Sequence, residues 1–302
     1  MILGVAGLVP SQQVSQKGSP TDADGGDWED INENVVKSVI NHGFKTVQVR
    51  VTDTKKNRKQ NIERIRFLFS NYDMPMSQTV GNYGGGLISE NPVIRNEAIN
   101  FMKEMIIISS ELGSPNTYLR PGSINKNGPW FPHKENNSKI VWDRLVNSTR
   151  EICDYAEIEG IKIALEGGVS CPISSPIKVK SFFDDVNSSM LGLNMDPVNF
   201  ISSLDVGYNS TKLINDFFSL VPNKIWGAHA KDFKIIDSLI PHFEESIIGD
   251  KESLLDNVAL LKGMEKFCPN GHVLVEHLPD ELIPFAKKGI DKIAKENNIT
   301  WE

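Results

Sequence analysis

Residues 161–197 read IKIALEGGVSCPISSPIKVKSFFDDVNSSMLGLNMDP. Lys162–Glu166 and Leu191–Asp196 are short apolar runs typical of buried strands. Between them, Lys178–Asn187 carries apolar residues at helical spacing. A strand, a helix and a second strand in this order predict a βαβ unit, in which the two strands lie parallel in one sheet.

The same alternation continues on both sides of this unit. Apolar runs predict eight strands, at Ile2–Val9, Thr46–Val51, Pro75–Val80, Asn116–Arg120, Lys162–Glu166, Leu191–Asp196, Ile225–Lys231 and Val273–Glu276. Amphipathic stretches predict eight helices, at Asp30–Asn41, Asn61–Ser70, Pro92–Leu112, Ser138–Glu159, Lys178–Asn187, Lys212–Val221, Leu254–Phe267 and Glu281–Asn297. Gly43, Gly113 and Gly160 each follow a predicted helix, where glycine is a common C-cap.

Eight βα units either close into a barrel or form an open, doubly wound sheet. An open sheet that binds a dinucleotide has Gly-x-Gly-x-x-Gly at the start of a helix, and Gly84-Gly85-Gly86 lacks this spacing. We therefore predict the α/β class and a (β/α)8 TIM barrel, with residues 1–302 as a single domain. The long segment Gly122–Asn137 is a predicted lid, because long loops in compact domains are often functional.

The composition argues against several classes of site and binding partner. A net charge of −7 argues against nucleic-acid binding, which needs clustered lysine and arginine. The three cysteines, Cys153, Cys171 and Cys268, form no Cys-x-x-Cys pair, so neither a disulfide framework nor a thiolate zinc site is indicated. No apolar run reaches the roughly 20 residues of a membrane span. We expect a soluble, cytoplasmic protein without a membrane or nucleic-acid partner.

Polar residues end four consecutive predicted strands, the fifth to the eighth. They are Glu166, Asp196, His229 and Glu276. In a TIM barrel the active site lies where the strands end, so these side chains are expected at one rim. Three carboxylates would repel one another there unless a cation lay between them. The donor set favours one divalent metal ion, with Mn²⁺ first and Mg²⁺, Co²⁺ or Zn²⁺ as alternatives.

Four sequence phrases carry a family resemblance. ALEGG (164–168), NMDPVN (194–199), GAHAKDF (227–233) and VLVEH (273–277) resemble the metal-site strands of the xylose isomerase-like TIM barrels, and most closely their sugar phosphate isomerase/epimerase group. The resemblance implies a metal held by those four residues, with Glu166 and Glu276 also acting as acid and base. The implied function is an isomerase or epimerase of a sugar or keto-sugar, working by α-proton abstraction through a metal-bound enediolate.

Further residues, near the ends of the strands or on the predicted lid, are predicted to contact the substrate. These are Arg120, Trp130, His133, Asn199, Lys231 and Asp232. Two other residues are not expected to take part in catalysis. Strand alternation predicts that His277 points outward, and Cys171 is expected to be a small hydrophobic residue of a loop rather than a nucleophile.

Departures from the family pattern leave alternatives open. Ketose 3-epimerases of this group usually have histidine three residues after the metal aspartate and arginine six after the metal histidine, where this chain has Asn199 and Ile235. A lyase or dehydratase acting on keto-inositols or 3-keto-glycosides, including C-glycoside deglycosylation, is therefore an alternative. An endonuclease IV-like site would need more histidines than the six present. A non-catalytic sugar-binding or partner subunit is the alternative of another class, and a homo-oligomer remains open.

Overall fold

The structure, a computed structural model, describes residues 1–9 and 26–302. Nine parallel strands form one curved sheet, and two antiparallel strands form a separate hairpin. In chain order the strands are β1 (Ile2–Ala6), β2 (Thr46–Val47), β3 (Val49–Val51), β4 (Thr79–Gly81), β5 (Asn116–Leu119), β6 (Lys162–Leu165), β7 (Leu191–Met195), β8 (Ile225–Ala230), β9 (Asp232–Ile236), β10 (His242–Ser246) and β11 (His272–Glu276). The order across the large sheet is β2-β1-β11-β8-β7-β6-β5-β4-β3.

The predicted strand Thr46–Val51 is divided at Gln48. β2 pairs with β1 and β3 pairs with β4, so the two pieces face different neighbours. The Gln48 amide donates to Val5 O at 2.9 Å, and the Val49 amide donates to Gln78 O at 3.0 Å. Because β2 and β3 together occupy one strand position of the barrel, the nine strands fill eight strand positions. The sheet therefore curves into a barrel. The predicted (β/α)8 TIM barrel is confirmed.

Helices follow the strands in the predicted order. They are α1 (Glu33–Asn41), α2 (Arg58–Asn71), α3 (Pro92–Leu112), α4 (Lys139–Glu159), α5 (Pro176–Val186), α6 (Leu204–Tyr208), α7 (Ser210–Leu220), α8 (Asn257–Phe267) and α9 (Ile283–Glu296). Gly113 and Gly160 end their helices with φ of 75° and 69°, as predicted for glycine C-caps. Within the described ranges, none of the helices has the length and apolarity needed to cross a membrane.

The hydrophobic core lies between the barrel and its helices. The apolar faces of the helices bury side chains such as Met102, Phe182, Phe217 and Leu261, each with essentially no exposed surface. The strands are buried on both sides, as parallel strands usually are, and every residue of β7 is buried. This packing holds the strands rigidly, so the carboxyl ends of the strands form a fixed rim.

The β9–β10 hairpin was not predicted. It leaves the barrel directly after β8, pairs Phe233 with Glu245 and Ile235 with Phe243, and returns to the rim. Four of the five residues of β10 are exposed, so its sequence lacks the alternation of buried and exposed positions that marks a strand. The short helix α6 was also missed, and β4 starts four residues later than the predicted strand at Pro75.

Candidate metal centre

Four strands of the barrel bring four metal-ligand side chains together. Glu166 and Asp196 directly follow β6 and β7, His229 lies in β8, and Glu276 ends β11. One ligand atom from each residue lies within 4.8 Å of the other three. Glu166, Asp196 and His229 are almost fully buried, and Glu276 is partly exposed. The parallel strands therefore concentrate three carboxylates and an imidazole in a site with little access to water.

His229 lies between two of the carboxylates. Its Nδ1 is 2.8 Å from Glu166 Oε1 and 2.9 Å from Glu276 Oε2. Burial alone would lower the pKa of His229, but the charges of Glu276 and Glu166 outweigh it and raise this pKa to about 10. Without a bound metal, the imidazole is therefore protonated at neutral pH.

Lys231 supplies a second positive charge. Its Nζ lies 2.8 Å from Asp196 Oδ2 and 3.1 Å from Glu276 Oε2. Burial opposes the ionisation of Glu276, yet the charges of His229 and Lys231 hold its pKa well below the ordinary value. Burial raises the pKa of Asp196 to about 7 despite the attraction of Lys231.

The donor atoms of this site fit a divalent ion. Within the part of the chain that the structure describes, both Asp196 oxygens, Glu276 Oε2 and His229 Nδ1 are buried and make no hydrogen bond of normal geometry. Ion pairs with Lys231 or within the cluster face Asp196 Oδ2, Glu276 Oε2 and His229 Nδ1, so the charges are balanced while the hydrogen-bonding capacity of these buried atoms is only partly used. An ion among these atoms would satisfy them together, and oxygen donors with one imidazole suit Mn²⁺, Mg²⁺, Co²⁺ or Zn²⁺.

Buried amides in the barrel interior fix the orientation of the histidine. His229 Nε2 lies 3.2 Å from Gln78 Oε1, so the protonated Nε2 donates to this oxygen and Nδ1 faces the carboxylates. Gln48 Nε2 donates to the same oxygen at 2.8 Å, and Gln78 Nε2 donates to Asn116 Oδ1 and Asn194 Oδ1. Sequence reasoning missed this network. A signal was present for Gln48 and Asn194, which interrupt largely apolar strand sequences, whereas Gln78 lies between Ser77 and Thr79 just before β4.

Glu166 is held at both carboxylate oxygens. The Tyr118 hydroxyl donates to Oε2, and Asn194 Nδ2 donates to Oε1 at 3.1 Å. Burial raises the pKa of Tyr118 well above its ordinary value, so the hydroxyl keeps its proton. Tyr118 also stacks on the imidazole of His229, with ring centroids 6.0 Å apart. Tyr118 is therefore a site residue that the sequence analysis did not identify.

A pocket of about 560 Å³ opens above the cluster. Of the predicted site residues, Glu166, His229, Glu276, Arg120, Trp130 and Asn199 line it. The guanidinium carbon of Arg120 lies 5.3 Å from the Tyr118 ring centroid and 5.4 Å from that of Trp130. Arg120 Nε is buried and has no hydrogen-bond partner among the described residues. The guanidinium is thus held between two rings, and its Nε–H group can donate a hydrogen bond to a ligand.

The other three predicted substrate contacts do not line this pocket. Lys231 is buried beside Asp196 and Glu276, and its Nζ reaches Asn199 Oδ1 at 3.3 Å. Asp232 accepts from the amides of Phe233 and Leu255, at 2.9 and 3.0 Å, and so fixes the base of the hairpin. His133 accepts from the Glu135 amide and caps a short 3-10 helix, Lys134–Asn137, within the predicted lid.

His277 does not point outward as strand alternation predicted. Its φ of 61° turns the chain out of the strand conformation immediately after Glu276. As a result, the imidazole lines the pocket, and its Nδ1 lies 2.7 Å from Glu245 Oε1 on β10. A positive φ at a residue other than glycine is not readable from the sequence pattern.

Cys171 is a buried free thiol beside the site. Burial raises its pKa to about 12, so the sulfur stays protonated near neutral pH. Its Sγ donates to Gly168 O at 3.2 Å. These features agree with the expected small hydrophobic loop residue.

Three solved structures share the fold over nearly the whole chain. A D-tagatose 3-epimerase-like protein is 18% identical, with a TM-score of 0.70 and coverage of 99% of this chain and 98% of that one. A 3-keto-D-glucoside 4-epimerase from E. coli is 13% identical, with a TM-score of 0.67 and coverage of 98% and 99%. A xylose isomerase-like TIM barrel protein from Mycobacterium smegmatis, in complex with magnesium, is 15% identical, with a TM-score of 0.67 and coverage of 97% and 95%.

Sequence comparison is informative at the level of the family. No curated protein matches the sequence. A family model described as a xylose isomerase-like TIM barrel matches residues 36–294. Because this match spans most of the chain, the protein belongs to the xylose isomerase-like TIM barrel family.

Proposed function

We propose that the chain is a divalent-metal-dependent isomerase or epimerase that acts on a sugar or keto-sugar by abstracting a proton next to a carbonyl. One observation carries the proposal. Two carboxylates, Glu166 and Glu276, lie on either side of one imidazole nitrogen at the floor of a pocket of sugar-accommodating size. The names of two proteins of the same fold, a D-tagatose 3-epimerase-like protein and a 3-keto-D-glucoside 4-epimerase, support this reaction class.

The cation site consists of Glu166, Asp196, His229 and Glu276 in this proposal. A bound divalent ion would neutralise the carboxylates and polarise the substrate carbonyl, which acidifies the neighbouring C–H group. We place Mn²⁺ first, because three carboxylates and one imidazole are a hard-to-borderline donor set. The magnesium in the M. smegmatis protein supports a divalent ion in this fold.

Glu166 and Glu276 exchange the proton in the proposed reaction. One carboxylate removes the proton from the substrate carbon, and the other, which enters the step protonated, gives its proton to the opposite face or to the neighbouring carbon, so that the two carboxyl groups exchange protonation states. Tyr118 and Asn194 hold the two oxygens of Glu166 in place. Asp196 has both oxygens buried and does not line the pocket, so we assign it to the cation alone.

Arg120 and Asn199 bind substrate oxygens in this proposal. Both line the pocket, and Arg120 has a buried Nε without an acceptor in the described structure. The fixed position of Arg120 between Tyr118 and Trp130 reduces the entropy lost on binding. Lys231 contacts Asp196 and Glu276 and holds these carboxylates rather than the substrate.

A lyase that expels a leaving group is the second candidate. It is favoured by His277, whose imidazole lines the pocket next to Glu276 and is paired with Glu245 at 2.7 Å. A leaving oxygen needs a proton donor, and a histidine held by a carboxylate is suited to that role. The two candidates share the proton abstraction and differ in the product.

The test is solvent deuterium exchange. The protein with MnCl₂ is incubated in D₂O with a panel of keto-sugars, keto-inositols and 3-keto-glycosides, and deuterium at each carbon is followed by NMR. We expect incorporation at one carbon, and Glu276→Gln is expected to slow it by about 10²–10⁴-fold, the usual contribution of a general acid or base. The product separates isomerisation or epimerisation from elimination.

Glu265→Gln is the matched control, since Glu265 is an exposed carboxylate on α8. Circular dichroism should show the same fold for both variants. Retention of exchange by Glu276→Gln at the wild-type rate would exclude the acid/base assignment.

A further inference from the structure

The pocket is larger than one sugar ring requires. A cavity of about 150 Å³ accommodates a benzene-sized ring. The pocket measures about 560 Å³, so a monosaccharide above the four ligand residues leaves a large part of it to be filled. The walls of this remaining space indicate which chemical group it accommodates.

The floor and the walls of the pocket differ in polarity. The floor is formed by Glu166, His229 and Glu276. Apolar side chains also line the pocket, and they come mostly from the loops above the strands: Pro129, Trp130, Val169, Val198 and Phe243. Val169 and Phe243 are 45% and 38% exposed, which is high for large apolar side chains lining a concave site. Exposed apolar groups around a pocket gain free energy when an apolar ligand group covers them.

The rings of Trp130 and Phe243 are each held by a neighbouring side chain. Trp130 lies against the Arg120 guanidinium, 5.4 Å from ring centroid to carbon. Phe243 makes an edge-to-face contact with Phe233, with centroids 6.1 Å apart. Trp130 belongs to the predicted lid and Phe243 to the β9–β10 hairpin, so two separate additions to the barrel each contribute one ring. Rings fixed in this way form a contact surface at little entropic cost.

We propose that these apolar walls form a subsite for an aromatic aglycone, so that the substrate is a keto-glycoside, whose sugar ring carries both the carbonyl of the proposed reaction and an aromatic group. This inference rests on the proposed function for the position of the sugar, and it adds the group attached to that sugar. The sugar hydroxyls then face Arg120 and Asn199, and the aromatic ring lies against Trp130 and Phe243. A free monosaccharide would leave the apolar walls in water.

The test compares pairs of ligands that differ only in the aglycone. Phenyl and methyl β-D-glucoside, and the corresponding galactosides, are titrated into the full chain with MnCl₂ by isothermal titration calorimetry. We expect a phenyl glycoside to bind about tenfold more tightly than its methyl partner, the gain of one aromatic contact plus buried area. Trp130→Ala and Phe243→Ala should each reduce that advantage to about threefold or less.

Phe67→Ala is the matched control, because Phe67 is an exposed aromatic residue on α2 outside the pocket. It should keep the full phenyl advantage. Equal binding of phenyl and methyl glycosides, a phenyl advantage that persists in both wall variants, or no binding of any of the four glycosides would each overturn the subsite. This experiment measures a ratio of binding affinities and needs no turnover. Its outcome therefore does not depend on the outcome of the deuterium-exchange test.

Discussion

The rim of the barrel has two halves with different chemistry. The half formed by β6, β7, β8 and β11 carries the ionisable side chains Glu166, Asp196, His229 and Glu276. The other half, the neutral half, is formed by β1 to β5 and carries mainly neutral donors and acceptors, with arginine as its ionised group: Gln48, Arg50, Gln78, Asn82, Tyr118 and Arg120. In the proposed function, the ionisable half holds the cation and transfers the proton, whereas the other half orients those groups and binds substrate oxygens.

Contacts between the two halves explain why both are needed. Gln78 from the neutral half fixes the ring of His229, and Tyr118 from the same half holds Glu166. Carboxylates placed in a buried site without such partners would adopt several orientations and would shift their pKa values upward. Outer partners of this kind usually tune metal affinity as well as geometry.

Among the substitutions that break a contact between the two halves, the largest effect is expected where the neutral half orients His229. Gln78→Leu removes the acceptor for the Nε2 proton of His229 and should weaken Mn²⁺ binding by about 10–100-fold, the usual effect of losing an outer partner. Calorimetric titration measures the affinity, and thermal unfolding verifies that the variant is folded. Gln60→Leu, an exposed position on α2, is the control. If Gln78→Leu bound Mn²⁺ as tightly as the wild type, the role of Gln78 in orienting His229 for the metal would be excluded.

A graded effect is expected from pH. The pKa of His229 is raised to about 10, so metal binding near pH 8 must displace one proton, and the apparent affinity should rise about tenfold per pH unit. Below pH 7 the slope should steepen, because Asp196, with its pKa raised to about 7, must also lose a proton. Calorimetry in buffers of different ionisation enthalpy counts the protons released. An affinity that did not change between pH 6 and pH 8 would contradict this assignment of charge.

The smallest of these effects is expected from the hydroxyl of Tyr118. Tyr118→Phe removes the donor to Glu166 Oε2 and should slow deuterium exchange by about tenfold, in line with a hydrogen bond to a charged group. Tyr208→Phe, with an exposed ring on α6, is the matched control. An unchanged exchange rate in Tyr118→Phe would show that Asn194 alone suffices to position Glu166.

The ionisable half is the part of the site that could be predicted from the sequence. Glu166, Asp196 and Glu276 follow or end clear apolar strand runs, and parallel strands place their ends at one rim. The glycine caps at Gly113 and Gly160 were predictable for the same reason, because local chemistry determines them. The barrel itself followed from the regular alternation of strands and helices.

The features missed depend on tertiary structure. Thr46–Val51 is a continuous β-prone run, and its division at Gln48 arises because its two ends pair with different strands. β10 is mostly exposed, so no burial pattern indicated it. The side chain of His277 lines the pocket because this residue has a positive φ. Each of these is determined by the surrounding packing rather than by local sequence preference.

The most direct test of the account is a Mn²⁺ titration of the purified chain and of Asp196→Asn, followed by calorimetry or by the EPR signal of free Mn²⁺. Asp237→Asn, an exposed carboxylate between β9 and β10, is the control. We predict one Mn²⁺ per chain for the wild type and the control, and a loss in Asp196→Asn that exceeds the roughly 100-fold upper range for outer partners. A wild-type chain that binds no divalent ion, or an Asp196→Asn variant that binds it equally well, would contradict the four-residue metal centre.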